Sequence, residues 1–174
     1  MDDEGQIIIS ILNGNKNDYA VLVNKYKTAI FNLAYRMTGD ACASDDLAQE
    51  AFVKAYESLA SFNITKKFFP WLFTIALNLI RTYLKKKKYL SFLPNFFKDD
   101  RQHPDLNLKI QEESEILAKL LQKLPISDRE AIVLRFYDEL SFEDVSKILN
   151  ISLSSAKMRV YRGLKKLRIF MEKI

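Results

Sequence analysis

The sequence predicts an all-α protein of two small helical domains joined by a flexible acidic linker, the second a helix-turn-helix domain, and three observations predict it. Only 4 Gly and 4 Pro occur in 174 residues, too few turn-formers for the short strands and frequent turns of an all-β fold. Apolar residues recur at steps of three and four, the period of helices with one buried face. Charge divides the chain into three: residues 1–91 hold 12 Lys/Arg and 9 Asp/Glu, residues 92–115 hold 3 against 6, and residues 116–174 hold 12 against 7. Pro94, Pro104 and the polar run 98–103 lie in the middle segment. The boundaries are therefore a first domain over 1–91, a linker over 92–115 and a second domain over 116–174.

In the first domain, Val23, Tyr26, Ile30, Leu33, Ala34 and Met37 mark a helix ending near Gly39, a residue suited to a helix C-terminus. Ser44 is the expected N-cap of the next helix. Asp45 and Asp46 then fall in its first turn, where the helix dipole favours carboxylates, and Ala48, Ala51, Phe52, Ala55, Tyr56 and Leu59 form its apolar face. Residues 61–68 lack a period and read as a loop. Pro70 suits the first turn of a third helix, with Leu72, Ile75, Ala76, Leu79 and Tyr83 inward. Trp71 is expected to anchor the three-helix packing, covered by Phe68 and Phe69.

In the second domain, Leu117, Leu120, Leu121 and Leu124 predict a helix stopped by Pro125. Ser127 with Glu130 and Ser141 with Asp144 each have the form of a capping box, so helices are expected to begin at 128 and 142. The second is short, with Phe142, Val145, Ile148 and Leu149. A turn at 150–152 leads into a last helix with Ala156, Val160, Leu164 and Leu167 inward. A short helix, a three-residue turn and a longer basic helix is helix-turn-helix spacing.

Catalysis has no residues to use. One cysteine, Cys42, and one histidine, His103, give no zinc set and no nucleophile with its base, and the chain has no glycine-rich phosphate loop. No cofactor, metal or small-molecule substrate is expected. The N-terminus is acidic, the apolar run 7–12 is broken by Ser10, and no run of about 20 apolar residues is present, so neither a signal peptide nor a membrane span is expected. The expected compartment is the cytoplasm.

Three faces remain for binding. Residues 152–174 carry seven Lys/Arg against Glu172 alone. Ser154, Ser155, Lys157, Met158, Arg159 and Arg162 project outward from the N-terminal half of the last helix, where a recognition helix meets base edges. On the helix before residue 60, Asp46, Gln49, Glu50, Val53 and Glu57 form a mainly acidic stripe, which phosphates would repel and a basic protein surface would fit. On the third helix Thr74, Asn78, Arg81 and Lys85 make a polar, cationic face continued by the lysine run 85–88. Phe62, Phe68, Phe69 and Trp71 lie just before it, and aromatics beside cations suit unstacked single-stranded bases.

These motifs, in this order, resemble a small two-domain sigma factor of bacterial RNA polymerase, of the extracytoplasmic-function group. Asp46 to Tyr56, Asp-Leu-Ala-Gln-Glu-Ala-Phe-Val-Lys-Ala-Tyr, resembles that family's polymerase-binding helix nearly residue for residue. Trp71 to Asn78 resembles its next helix, which with the preceding loop captures the melted minus-ten element. Leu124 to Arg135 and Ser141 to Arg162 resemble the domain that reads the minus-thirty-five element. The resemblance implies core RNA polymerase and promoter DNA as partners, with an anti-sigma factor as a further one. It places polymerase on Asp46, Gln49, Glu50, Val53 and Glu57. The minus-ten strand falls to Ser61, Phe62, Asn63, Lys66, Lys67, Thr74, Asn78, Arg81 and Lys85, and the minus-thirty-five duplex to Ser154, Ser155, Lys157, Met158, Arg159 and Arg162. It also implies that the acidic linker threads the polymerase channel.

Thr82 and Met158 depart from the family's common acidic and small polar residues, and Lys85-Lys86 from its arginine pair, which bears on promoter preference. A free-standing helix-turn-helix regulator is the alternative, and it leaves the acidic stripe without a purpose. A helical adaptor at anionic membranes leaves the helix-turn-helix spacing without one.

Overall fold

The computed structural model describes residues 3–90 and 112–172. These form eight α-helices: α1 (Asp3–Leu12), α2 (Tyr19–Thr38), α3 (Ala41–Glu57), α4 (Phe68–Leu90), α5 (Glu112–Gln122), α6 (Ile126–Ile132), α7 (Phe142–Leu149) and α8 (Leu153–Met171). Among the described residues there is no strand. The expected linker lies outside them except for its last four residues, which open α5.

In the first half, α2 packs against both α3 and α4. Leu22, Ile30, Leu33 and Met37 of α2 meet Ala48, Ala51 and Ala55 of α3 and Phe73, Leu77 and Ile80 of α4, all buried. Small alanines on α3 allow close approach. Tyr19 adds a polar tie, donating to the Phe52 carbonyl at 2.6 Å while its ring meets Tyr56 edge-on. Helix α1 is not among the expected elements: the run 7–12 is its second half, of which Ile8 and Ile11 are buried in this core and Leu12 is exposed.

Gly39 ends α2 at φ 69°, the left-handed conformation expected of it, and its Cα lies so close to Gln122 of α5 that a Cβ there would meet the Gln122 side chain at 3.2 Å. The cap of α3 differs from expectation. Asp40 takes it, its side chain accepting from the Ala43 N–H at 3.0 Å, while Ser44 is fully buried inside the helix and donates to the Asp40 carbonyl. Asp40 also faces Tyr83 and Lys87 of α4. Burial opposes ionisation there, yet the Ala43 N–H and the Lys87 ammonium hold the carboxyl below its ordinary range.

In the second half, α8 lies across α6 and α7. Helix α6 begins at Ile126 behind Pro125, two residues before the expected start, so Ser127 lies in its first turn and caps nothing. The backbone runs on through a π-helical turn over Val133–Tyr137. Ser141 does cap α7, accepting from the Asp144 N–H at 3.1 Å, and Asn150 closes it at φ 52° before Ser152 caps α8, accepting from the Ser155 N–H. Leu124 is buried but lies past the end of α5. Leu164, expected inward, is 37% exposed and borders an apolar cleft with Leu117, Leu121, Phe136 and Met171. At Gly163 α8 crosses α6 so closely that a Cβ would stand 2.5 Å from Ile132 Cδ1.

The two halves share one core. Val133, Leu134, Val145 and Ile148 are continuous with the α2–α4 interior, and α4 packs on α7 and α2 on α5. Asp138, at the end of the π-helical turn, has one buried carboxylate oxygen without a hydrogen-bond partner. Burial raises its pKa to about 7 despite the opposing charge of Arg36. The folded chain thus binds a proton that an unfolded carboxyl, near 3.8, has released. Its contribution is complete below that value and lost as pH rises through the folded pKa, at up to about 1.4 kcal/mol per pH unit. Urea unfolding should show stability falling between about pH 4 and pH 7 from this group, and Asp138→Asn should flatten that part of the profile.

Candidate polymerase and promoter interfaces

The α3 stripe is built as its spacing implies. Asp46, Gln49, Glu50, Val53 and Glu57 are all exposed, on the side away from Ala48, Ala51 and Ala55. Gln49 donates to Asp45 at 2.8 Å and Glu50 meets Lys54 at 3.7 Å, both at the surface. Val53, 56% exposed in the middle of the stripe, supplies an apolar contact among carboxylates, the composition of a protein-binding face.

The loop before α4 divides. Ser61, Asn63, Lys66 and Lys67 are exposed. Asn63 Oδ1 accepts from both the N–H and the hydroxyl of Thr65, at 3.0 and 2.8 Å, which shapes the turn. Phe62 is instead buried, its ring against Phe68 at 5.7 Å and Trp71 at 4.9 Å. It belongs to the core rather than to a stacking platform, because three rings together remove more apolar surface from water than one ring offers a base. The fully buried ring is Phe68 rather than the expected Trp71, which is partly buried against it at 5.5 Å, while Phe69 packs on Tyr26 and Phe73.

On α4 the expected face is only partly open. Thr74 donates back to the Pro70 carbonyl at 2.8 Å, and Asn78 and Lys85 are exposed. Arg81 is engaged with the other half of the chain: its Nε donates to Glu130 Oε1 at 2.6 Å and its Nη2 to Glu130 Oε2 at 2.9 Å. That hydrogen bonding raises the guanidinium's pKa.

Helix α8 separates into an exposed outer side and residues engaged with the rest of the fold. Ser154, Ser155, Lys157 and Met158 are exposed in its first turns, with Met158 61% exposed, and Arg159 is half-buried beside them. Lys157 and Arg135 both lie over the Phe142 ring, at 5.8 and 5.1 Å. Arg162 is exposed as expected, but it is also paired within the fold. Its Nε contacts both oxygens of Asp128 at 2.9 and 3.0 Å, its Nη2 joins them, and Lys166 adds a third contact at 2.9 Å. Asp128 is fully buried; burial alone would raise its pKa, and these two cations lower it below the ordinary value. Arg162 and Lys166 together hold this carboxylate ionised, while the Arg162 side chain stays half exposed.

Sequence reading missed Asp128 and Arg129 and gave Glu130 a capping role only; the three consecutive charges are all buried. Arg129 collects the carbonyls of Gln122 at 2.6 Å, Leu124 at 3.1 Å and Met37, and the side chain of Gln122 at 2.5 Å. Burial pushes its pKa down to about 10, leaving it charged at neutral pH. The available signal was the strongly apolar run 131–134 directly after these charges. Among the described residues no group of histidine, cysteine and carboxylates could hold a metal, and no helix is long and apolar enough to cross a membrane.

Comparison with known proteins matches residues 22–89 to sigma-70 region 2 and residues 114–167 to sigma-70 region 4. The ECF RNA polymerase sigma factor SigW of Bacillus subtilis is 34% identical, over 92% of each chain. The chain belongs to the extracytoplasmic-function group of the sigma-70 family. The RNA polymerase sigma-H factor of Pseudomonas aeruginosa is 28% identical over 93% of this sigma factor and 90% of that one. In fold, it is similar to CnrH in complex with the cytosolic domain of CnrY, at TM-score 0.77 and 24% identity over 99% of both chains. It is similar also to the sigma factor RpoE in complex with the anti-sigma factor NepR from Bartonella quintana, at 0.73 and 24% over 89% of this chain and 97% of that one. Region 2 thus spans α2–α4 of this sigma factor, and region 4 spans α5–α8.

The Asp128 cluster makes Arg162 a test of structure against recognition. Arg162→Ala should cost about 1–2 kcal/mol in urea unfolding, less than a fully buried pair because Arg162 is half exposed and Lys166 remains. Met158→Ala, in the same helix, should leave stability within about 0.5 kcal/mol.

Proposed function

We propose that the chain divides its work as a sigma factor among three surfaces. A sigma factor binds core RNA polymerase and directs promoter-specific initiation of transcription, and it performs no chemistry itself. The α3 stripe, Asp46, Gln49, Glu50, Val53 and Glu57, docks on core polymerase. The loop residues Ser61, Asn63, Lys66 and Lys67, with Thr74, Asn78, Arg81 and Lys85 of α4, take the melted minus-ten strand. Ser154, Ser155, Lys157, Met158 and Arg159 enter the major groove of the minus-thirty-five element, while Lys165 and Arg168 meet its phosphates.

The observation that carries this reading is the exposed acidic stripe on a chain whose recognition helix is cationic. Duplex DNA repels the first and attracts the second, so two macromolecular partners are needed. A free-standing regulator would need only one. The complex of the sigma factor RpoE with the anti-sigma factor NepR supports an anti-sigma factor as a further partner. The site of action is the cytoplasm, with the polymerase.

Reversing Asp46 and Glu50 to Lys should abolish co-elution with core polymerase while unfolding free energy stays within about 0.5 kcal/mol of the parent. Co-elution at the parent's affinity would overturn the assignment of this face. On α8, Arg159→Ala in the holoenzyme should lose about 1–3 kcal/mol on the preferred minus-thirty-five sequence and little on a scrambled one. Lys165→Ala should weaken both alike and lower the salt slope by about 0.9, as loss of one phosphate contact does. Equal losses on both duplexes for Arg159→Ala would refute base reading.

A further inference from the structure

The outer side of α8 carries an apolar side chain at its centre. Met158 stands two residues from Ala156 and two from Val160, about 200° around the helix from each, and both of those are buried in the core. Met158 is therefore aimed almost directly away from the core, and it is 61% exposed. Tyr161, three residues on and 59% exposed, lies beside it on the same side. The polar neighbours are partly engaged within the chain. The Ser154 and Ser155 hydroxyls lie 3.1 and 2.8 Å from that of Ser152, and the Lys157 ammonium stands 5.8 Å from the centre of the Phe142 ring. Lys157 and Arg159 adjoin Met158 in the chain and Lys165 follows it on the same side, so a polyanion is drawn to the surface that presents this thioether.

An apolar group in the middle of a cationic face calls for an apolar feature on the polyanion. The major groove of duplex DNA displays one, the C5 methyl of thymine, while the other base edges there present donors and acceptors. A thioether has no donor and is only a weak acceptor, so Met158 has nothing to offer those edges. Its unbranched, flexible side chain moulds to a small apolar partner. Helical side chains lean toward the N-terminus, which carries Met158 over the first turns of α8. We propose that Met158 is a specificity residue that selects one thymine of the minus-thirty-five element by its methyl group. The proposal rests on the reading of α8 as the helix that enters that duplex. It adds a preference that no hydrogen bond carries, and burial of one methyl group is worth about fourfold in affinity.

Replacing thymine by uracil removes the methyl and leaves base pairing and every hydrogen-bonding edge in place. Holoenzyme assembled from the full chain and core polymerase first selects its preferred duplex from a promoter library randomised across the minus-thirty-five element. Each thymine of either strand is then replaced singly by uracil. The parent should lose about fourfold at one thymine, and Met158→Leu, which stays apolar, should lose as much there. Met158→Ala and Met158→Ser should bind the thymine and uracil duplexes alike, near the parent's affinity for the uracil one. A parent that binds every uracil duplex as tightly as the thymine duplex overturns the proposal, as does a loss at uracil that Met158→Ala retains in full. Arg159→Ala on the same duplexes then separates the two readings. A loss confined to the preferred sequence keeps α8 as the reading helix and refutes the methyl contact alone, whereas a library in which no sequence is enriched refutes both.

Discussion

Asp128, Arg129 and Glu130 are consecutive, charged and buried, and the arrangement of the chain turns on where each one points. Successive helical residues project about 100° apart, so one turn of α6 addresses three neighbours at once. Asp128 holds α8 through Arg162 and Lys166, Arg129 gathers carbonyls at the ends of α2 and α5, and Glu130 reaches across to Arg81 of α4. A buried charge without its partner is costly enough that few other packings of these helices satisfy all three. Apolar contacts supply the bulk of the cohesion, and the charges fix which surfaces meet.

Arg129 is the most constrained of the three. The last carbonyls of a helix lack intrahelical donors and carry the negative end of its dipole, so a cation placed among them answers both deficits. Met37 lies in the final turn of α2 and Gln122 is the last residue of α5, and one guanidinium serves both ends. This ties the helix preceding Gly39 to the helix preceding Pro125, at the seam where the halves of the protein join. The side chain of Gln122, packed on Gly39 and bonded to the Arg36 carbonyl, closes the same seam.

Much of this was legible in the sequence because it rests on local rules. The period of α2, the glycine at its end, the cap at Ser141 and the turn before α8 follow from side-chain spacing and short-range hydrogen bonds, and the α3 stripe follows from helix geometry alone. Readings failed where a partner distant in sequence competes. Ser44 has the form of a cap, yet Asp40 is one helical turn earlier and is also drawn to Lys87, 47 residues on. Ser127 and Glu130 have the form of a capping box, but Arg81 claims the glutamate. Phe62 and Arg162 have the composition of nucleic-acid contacts, and each is committed to a partner in the fold. Spacing identifies a face; it does not reveal which of its side chains the fold has already used.

On α8 the two sides answer to different demands. Ala156, Val160, Gly163 and Leu167 are buried, while Ser154, Ser155, Lys157 and Met158 touch little besides solvent, the cap of their own helix and the Phe142 ring. Substitutions on the outer side change what the helix meets without disturbing what it rests on. If this outer side reads the promoter as proposed, a change of promoter preference needs only a few exposed substitutions and leaves stability nearly constant.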